Sequence, residues 1–213
     1  KGIFAWVTCQ FVINRFINDL NIMGIDGITI NMNNVEPSED TAVILNKSES
    51  NIILNHNKSD KEKYILLEEF GYKISRHENI FSSLIDKMKS IDKENYIMAK
   101  LSKDIVVVND EAFSYFVNMS TEVDTRIRIG EDGVVKEGAL FTEEYVPEEA
   151  IMYNFIKFDK KISDNVIKNL NIDNKISFEF IESKFMEEYL KKLKYIQLGG
   201  NSTLGKGIIR VYS

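Results

Sequence analysis

The chain carries 213 residues, 44% of them hydrophobic and 28% charged, with a formal net charge of −6. That balance suits one globular domain, or one with an insertion, and excludes a protein that wraps nucleic acid with its whole surface. Any RNA contact must then come from a local basic face on an acidic body. The single Cys9 permits no internal disulfide, and no apolar run approaches the roughly 18 residues of a membrane span, so a cytoplasmic protein is expected. His56 and His77 stand outside any ligand-like spacing and no second Cys exists, so a structural zinc site is not expected.

In chain order, the recurrence of Ile13, Ile17 and Leu20 with Phe16 beside them predicts a helix over 11–20, ended by Gly24 and Gly27. Arg15 on that helix reads first as a snorkelling surface arginine, with a phosphate contact as the alternative. Residues 31–60 are polar, with short strands predicted at 42–45 and 52–54; a strand follows at 64–70. Phe81, Leu84, Ile85 and Met88 share one face of an amphipathic helix over 79–91. The β-branched run at 105–108 predicts a buried strand, and Asp110 is expected to cap the helix holding Phe113, Phe116 and Val117. Beyond residue 150, strands are predicted at 151–158, 176–181, 195–198 and 208–212. Helices are expected from Ser163 to residue 170 and, with Ser183 as the cap, over 184–193, where Glu187–Lys191 and Glu188–Lys192 have the favourable i,i+4 order. Strands and helices mix without strict alternation, which makes the fold class α+β.

Two stretches could carry chemistry. In 125–147, Ile127 and Ile129 alternate with Arg126 and Arg128, the period of a strand with one dry face. The GEDG run at 130–133 turns the chain back, and the return arm presents Glu143, Glu144 and Tyr145 before Pro147. Glu143 and Tyr145 share a face of an extended segment, and Glu144 points away. This pattern fits either a surface hairpin with solvated charges or one that touches a phosphate backbone. The loop GGNSTLGKG at 199–207 gathers four of the eleven glycines, with Thr203 and Lys206 adding a hydroxyl and a cation. Gly199, Gly200, Gly205 and Gly207 permit tight turns and close approach of backbone N–H groups to an anion. The loop lacks the GK[ST] ending and strand-then-helix setting of a nucleotide-hydrolysing P-loop. Pattern alone leaves a tight structural connection and phosphate binding equally open.

Three motifs taken together, GIFAWVTCQFVINRF, RIRI with GALFTEEYVP, and IQLGGNSTLGKGIIRV, resemble in content and order the backbone subunit of type III-B CRISPR effector complexes, the fourth Cmr protein of the RAMP superfamily. The resemblance implies an incomplete ferredoxin-like (RRM-like) RAMP domain over 1–213, with an insertion at 31–104 and a β-hairpin thumb at 125–147. It implies guide CRISPR RNA, target RNA, further copies of the chain in a helical backbone and other Cmr-type subunits as partners. It also implies divalent metal (Mg or Mn), although no metal cluster is evident in the sequence. It gives supporting catalytic roles to Glu143 and Tyr145, and guide or target RNA contacts to Arg126, Arg128 and the glycine-rich loop. The family commonly has proline at the position of Gln10, where it would kink the chain, and acids at the positions of Asn201 and Ser202, so this chain departs from the family's local kink at the first and from its contacts at the other two. The principal catalytic aspartate is expected upstream of Lys1, so the chain on its own is expected to be inactive as a nuclease.

Cleavage of RNA by an internal 2′-hydroxyl needs a base, charge stabilisation at the phosphate and in-line geometry. Glu143 suits base or metal helper, and Tyr145 suits positioning or proton donation. Against this enzyme stands a non-catalytic RAMP scaffold that holds guide RNA and neighbours. A guide-processing RAMP endonuclease ranks last, since neither histidine has a catalytic context.

Overall fold

The strand Ile105–Val108 (β6) is buried along its whole length, with Val106 and Val108 facing one side and Ile105 and Val107 the other. A strand dry on both faces belongs in the middle of a covered sheet. In the computed structural model, which describes residues 5–30, 35–44, 52–54, 62–77, 80–91, 96–158 and 178–212, that is where it lies. Trp6–Cys9 (β1) runs parallel to β6 on one side, and Thr41–Ile44 (β2) runs antiparallel on the other. Beyond β2 come Phe70–His77 (β5), parallel to it, then Tyr64–Leu67 (β4) and Ile53–Leu54 (β3), both antiparallel to their neighbours. The six-stranded mixed sheet therefore has the order β1-β6-β2-β5-β4-β3.

Ala42, Ile44, Ile65, Leu67, Tyr72, Val106 and Val108 form one buried cluster, against which Phe113 and Phe116 pack. Those two rings sit on Asp110–Met119 (α4), so this helix covers that face. Gln10–Met23 (α1) buries Ile13 and Leu20 and ends at Gly24, whose φ of 64° is the left-handed turn glycine adopts without strain. Ser82–Ile91 (α2) buries Ile85, with Phe81 buried just ahead of it, and Tyr96–Asp104 (α3) leads into β6. Among the described residues, no helix is long and apolar enough to cross a membrane.

Several expectations shift by identifiable local chemistry. The strand predicted over 64–70 is a hairpin: Glu68 takes a left-handed φ of 51° and turns β4 into β5. The cap of α4 is Asn109, whose side chain accepts from Ala112 N–H at 2.9 Å. Asp110 lies in the first turn and instead accepts the Phe11 N–H at 3.1 Å, tying the start of α1 to α4. Residues 151–158 form no strand. Where a strand was expected to end at residue 181, Phe178–Lys184 is a helix (α5), continued by a π-helical turn at Phe185–Leu190. Ser183 lies inside α5 and donates back to the Phe180 carbonyl at 3.0 Å, so it is not an N-cap. The ion pair on this helix joins Lys184 to Glu188, not the two pairs expected from spacing. The helix expected from Ser163, the strand start at 176 and the loops at 31–34, 45–51 and 55–61 lie outside the described residues.

The chain divides into two units, Lys1–Met152 and Tyr153–Ser213. The sheet and the hairpin described next belong to the first. The glycine-rich loop belongs to the second.

Candidate functional site

Glu122–Ile129 (β7) and Val135–Tyr145 (β8) pair antiparallel as a sheet of their own. The turn between them is closed by Gly130 N–H to the Val134 carbonyl at 2.8 Å, and Gly133 has a φ of 76°. Pairing resumes after a bulge on the return arm that contains Gly138 at φ 70°. The expected dry face is absent: Ile127 is 51% exposed and Ile129 60%, and among the described residues no layer covers this two-stranded ribbon. The exit of the hairpin is held by the Trp6 Nε1–H, which donates to the Glu149 carbonyl at 2.9 Å.

Register decides which side chains meet. Arg126 is opposite Phe141, Asp124 opposite Glu143 and Glu122 opposite Tyr145, so all six share one face. On that face Arg126 Nε lies 2.6 Å from Glu143 Oε2, and both side chains are little more than a quarter exposed. The Nε–H has no hydrogen-bond partner despite that approach, so the contact is charge attraction and not a directed bond. Arg126 Nη2 donates to the Tyr145 hydroxyl at 3.0 Å, and that hydroxyl donates in turn to Glu143. The two residues predicted as catalytic are thus brought together at the base of the hairpin by one predicted as an RNA contact.

Arg128 is exposed and has no ion pair or hydrogen bond among the described residues. Arg15 is likewise exposed on α1 and unpaired among them. The hairpin as a whole is acidic: residues 122–145 hold seven Asp or Glu against three Lys or Arg. Among the described residues no three His, Cys, Asp or Glu side chains converge as metal ligands. No chemical step is routed through the divalent metal that the resemblance implies.

In the second unit, Tyr195–Gln197 (β9) and Ile208–Arg210 (β10) pair antiparallel and carry the glycine-rich loop between them. Gly199, Gly205 and Gly207 have φ values of 88°, 80° and 77°, and Asn201 is left-handed at 59°. A methyl group on Gly207 would overlap the Leu198 carbonyl, whose carbon would be 3.0 Å away. Gly207 is therefore required for closure of the loop, whatever the loop binds. Gln197 clamps the interior, its Nε2 donating to the Ser202 carbonyl at 2.8 Å and the Lys206 carbonyl at 3.0 Å. Thr203 and Gly200 are exposed, and Gly200 needs neither a positive φ nor a close approach.

The RAMP superfamily model matches residues 37–210. The chain belongs to the RAMP superfamily. This RAMP chain is 31% identical over 217 residues to the CRISPR system Cmr endoribonuclease Cmr4 of Pyrococcus furiosus, covering 99% of the chain and 62% of the relative. It is 27% identical over 173 residues to the CRISPR system CMR subunit Cmr4 of Saccharolobus solfataricus, covering 76% and 49% respectively. A chain in the cryo-EM structure of the type III-B Cmr-beta bound to cognate target RNA matches with a TM-score of 0.56 at 21% identity, over 99% of this chain and 61% of that one. That last likeness speaks to fold. The family resemblance and the α+β class drawn from sequence both stand. The chain spans less than two thirds of the length of the curated relatives it matches, 62% of one and 49% of the other.

Sequence reasoning missed one constellation in this RAMP chain. Arg210 lies opposite Tyr195 in the β9–β10 register, with its guanidinium carbon 5.8 Å from the Tyr195 ring centre and 5.5 Å from that of Tyr212. A signal was available, since residues 189–213 contain five Lys or Arg and no Asp or Glu.

Proposed function

We propose that this RAMP chain is part of a guide-RNA-binding backbone subunit of a type III-B CRISPR complex that helps cut target RNA. The observation that carries the reading is the Arg126–Glu143–Tyr145 cluster at the base of the β7–β8 hairpin, in a chain similar to a protein named an endoribonuclease. On this reading the six-stranded sheet belongs to a ferredoxin-like RAMP domain with 31–104 as an insertion, and β7–β8 acts as a thumb between guide and target. Copies of the subunit stack along the guide with other Cmr-type subunits. Arg128, Arg15 and the loop residues Gly199, Gly200, Thr203, Gly205, Lys206 and Gly207 approach phosphates, which positions RNA without reading its sequence. Guide–target pairing supplies the sequence specificity. A divalent metal (Mg or Mn) belongs to the proposal through the family likeness alone.

In the cutting step a 2′-oxygen bonds to the adjacent phosphorus and the P–O5′ bond breaks. The 2′-proton goes to a base, and the departing 5′-oxygen takes a proton. Glu143 suits the acceptor and Tyr145 the donor. In the arrangement seen here Tyr145 gives its hydrogen bond to Glu143, and Arg126 engages both. RNA must therefore displace part of this cluster, and a phosphate is the natural competitor for the guanidinium.

The scaffold reading is favoured by the same engagement, since the three side chains as they stand are turned to one another. The deciding experiment is cleavage of target RNA by the native protein assembled with guide RNA and partner subunits, with binding recorded in parallel. Glu143→Gln and Tyr145→Phe are expected to slow cutting with binding retained. Undiminished cutting by both variants would leave the hairpin as structure and favour the scaffold.

A further inference from the structure

The chain carries a net charge of −6, yet residues 189–213 hold five cations and no acid, a local basic tract in an acidic body. Lys191, Lys192 and Lys194 precede β9, Lys206 lies in the loop and Arg210 on β10. Two aromatic rings lie within this basic tract beside Arg210: Tyr195 is 57% exposed, and Tyr212 is half-buried. On the same ribbon face, Gln197 holds the backbone of the glycine-rich loop by its Ser202 and Lys206 carbonyls. Loop and ring cluster therefore adjoin on the β9–β10 ribbon. The guanidinium stands within cation–π range of both rings, which fixes their spacing while leaving Tyr195 open to solvent.

We propose that Tyr195, Arg210 and Tyr212 form a stacking platform for an unpaired base of an RNA strand whose phosphates follow the adjoining basic tract. Aromatic faces take bases of any identity, and a guanidinium plane stacks and pairs with phosphate at once. The hairpin of the first unit, with its excess of acids, offers no comparable tract. This platform rests on the RNA-binding reading above but assigns new residues to it, and its task is base stacking and not phosphate contact.

The test is direct binding of the 213-residue chain to a short uridine-rich single-stranded RNA, compared with an abasic strand of equal length and charge. Tyr195→Ala and Tyr212→Ala are each expected to weaken binding of the base-bearing strand by roughly tenfold. Binding of the abasic strand should stay unchanged. Arg210→Lys, which keeps the charge and loses the plane, should likewise weaken the base-bearing strand selectively. Photocrosslinking with 4-thiouridine RNA should map to Tyr195 or Tyr212, a readout that does not depend on any variant folding. Equal loss for both strands, or crosslinks only elsewhere, would overturn the platform while leaving RNA binding intact. Absence of RNA binding by the unsubstituted chain would overturn both.

Discussion

Replacing Arg126 by alanine and Glu143 by glutamine, singly and together, measures how far the hairpin depends on its charged face. At a separation of 2.6 Å the attraction amounts to about 1.6 kcal/mol in bulk water and about 6 kcal/mol at an effective dielectric of about 20. Side chains 27% and 28% exposed lie between the surface and buried regimes, and desolvation offsets most of the larger figure. A net coupling of about 1–2 kcal/mol is the expectation. Because β7 and β8 pair with no other strand among the described residues, global unfolding would report the change poorly. Amide hydrogen exchange across the Thr125–Thr142 and Arg126–Phe141 pairs is the better assay. Each single variant should speed exchange by roughly fivefold to thirtyfold, and the double variant by less than the product of the two. Additive effects, with coupling below about 0.3 kcal/mol, would refute the argument that these charges hold the two arms in register.

Gly207→Ala should destabilise the second unit by more than about 2 kcal/mol, since it adds both the left-handed penalty and an overlap with Leu198, whereas Gly200→Ala should be near neutral. Chemical denaturation with limited proteolysis compares the two. Asn109→Ala removes the cap on Ala112 N–H and should cost about 1 kcal/mol in thermal or chemical unfolding. Burial first, and then the neighbouring Asp110 carboxylate, push the Cys9 thiol from 9.0 up to about 11. Between these values the unfolded chain releases a proton that the folded chain keeps, so stability is full below pH 9 and falls as pH rises towards 11. Cys9→Ser should flatten that slope, and the native thiol should resist modification at pH 8 until denaturant is added.

What the sequence could reveal divides along physical lines. The strand at 105–108 and the helix carrying Ile13 and Leu20 were legible because burial on a regular period leaves a strong pattern. The hairpin at 122–145 was legible from its turn residues, yet the dry face expected from its alternation is absent, because the same alternation occurs on a ribbon that no layer covers among the described residues. The turn at Glu68 stayed hidden, since a non-glycine residue in left-handed geometry has no sequence mark. The same holds for the choice of Asn109 over Asp110 as cap, where adjacent residues have nearly equal propensity and a tertiary contact to Phe11 decides. For the site, proximity of Glu143 and Tyr145 followed from strand period. Their link to Arg126 required the register, and the Arg210–tyrosine cluster required the partner strand.

The central claim is that the base of the hairpin meets the scissile phosphate of target RNA. Its most direct measurement is hydroxyl-radical probing from an iron chelate tethered at Val146→Cys, next to Tyr145 and itself 58% exposed at the native valine. Cys9 is buried and its thiol is held protonated, so the new cysteine can be labelled selectively. In the native complex assembled on guide and target RNA, radical cuts should centre on the positions where the complex itself cleaves. Radical cuts that fall away from those positions, or none above background, would contradict the claim and leave the hairpin remote from the chemistry.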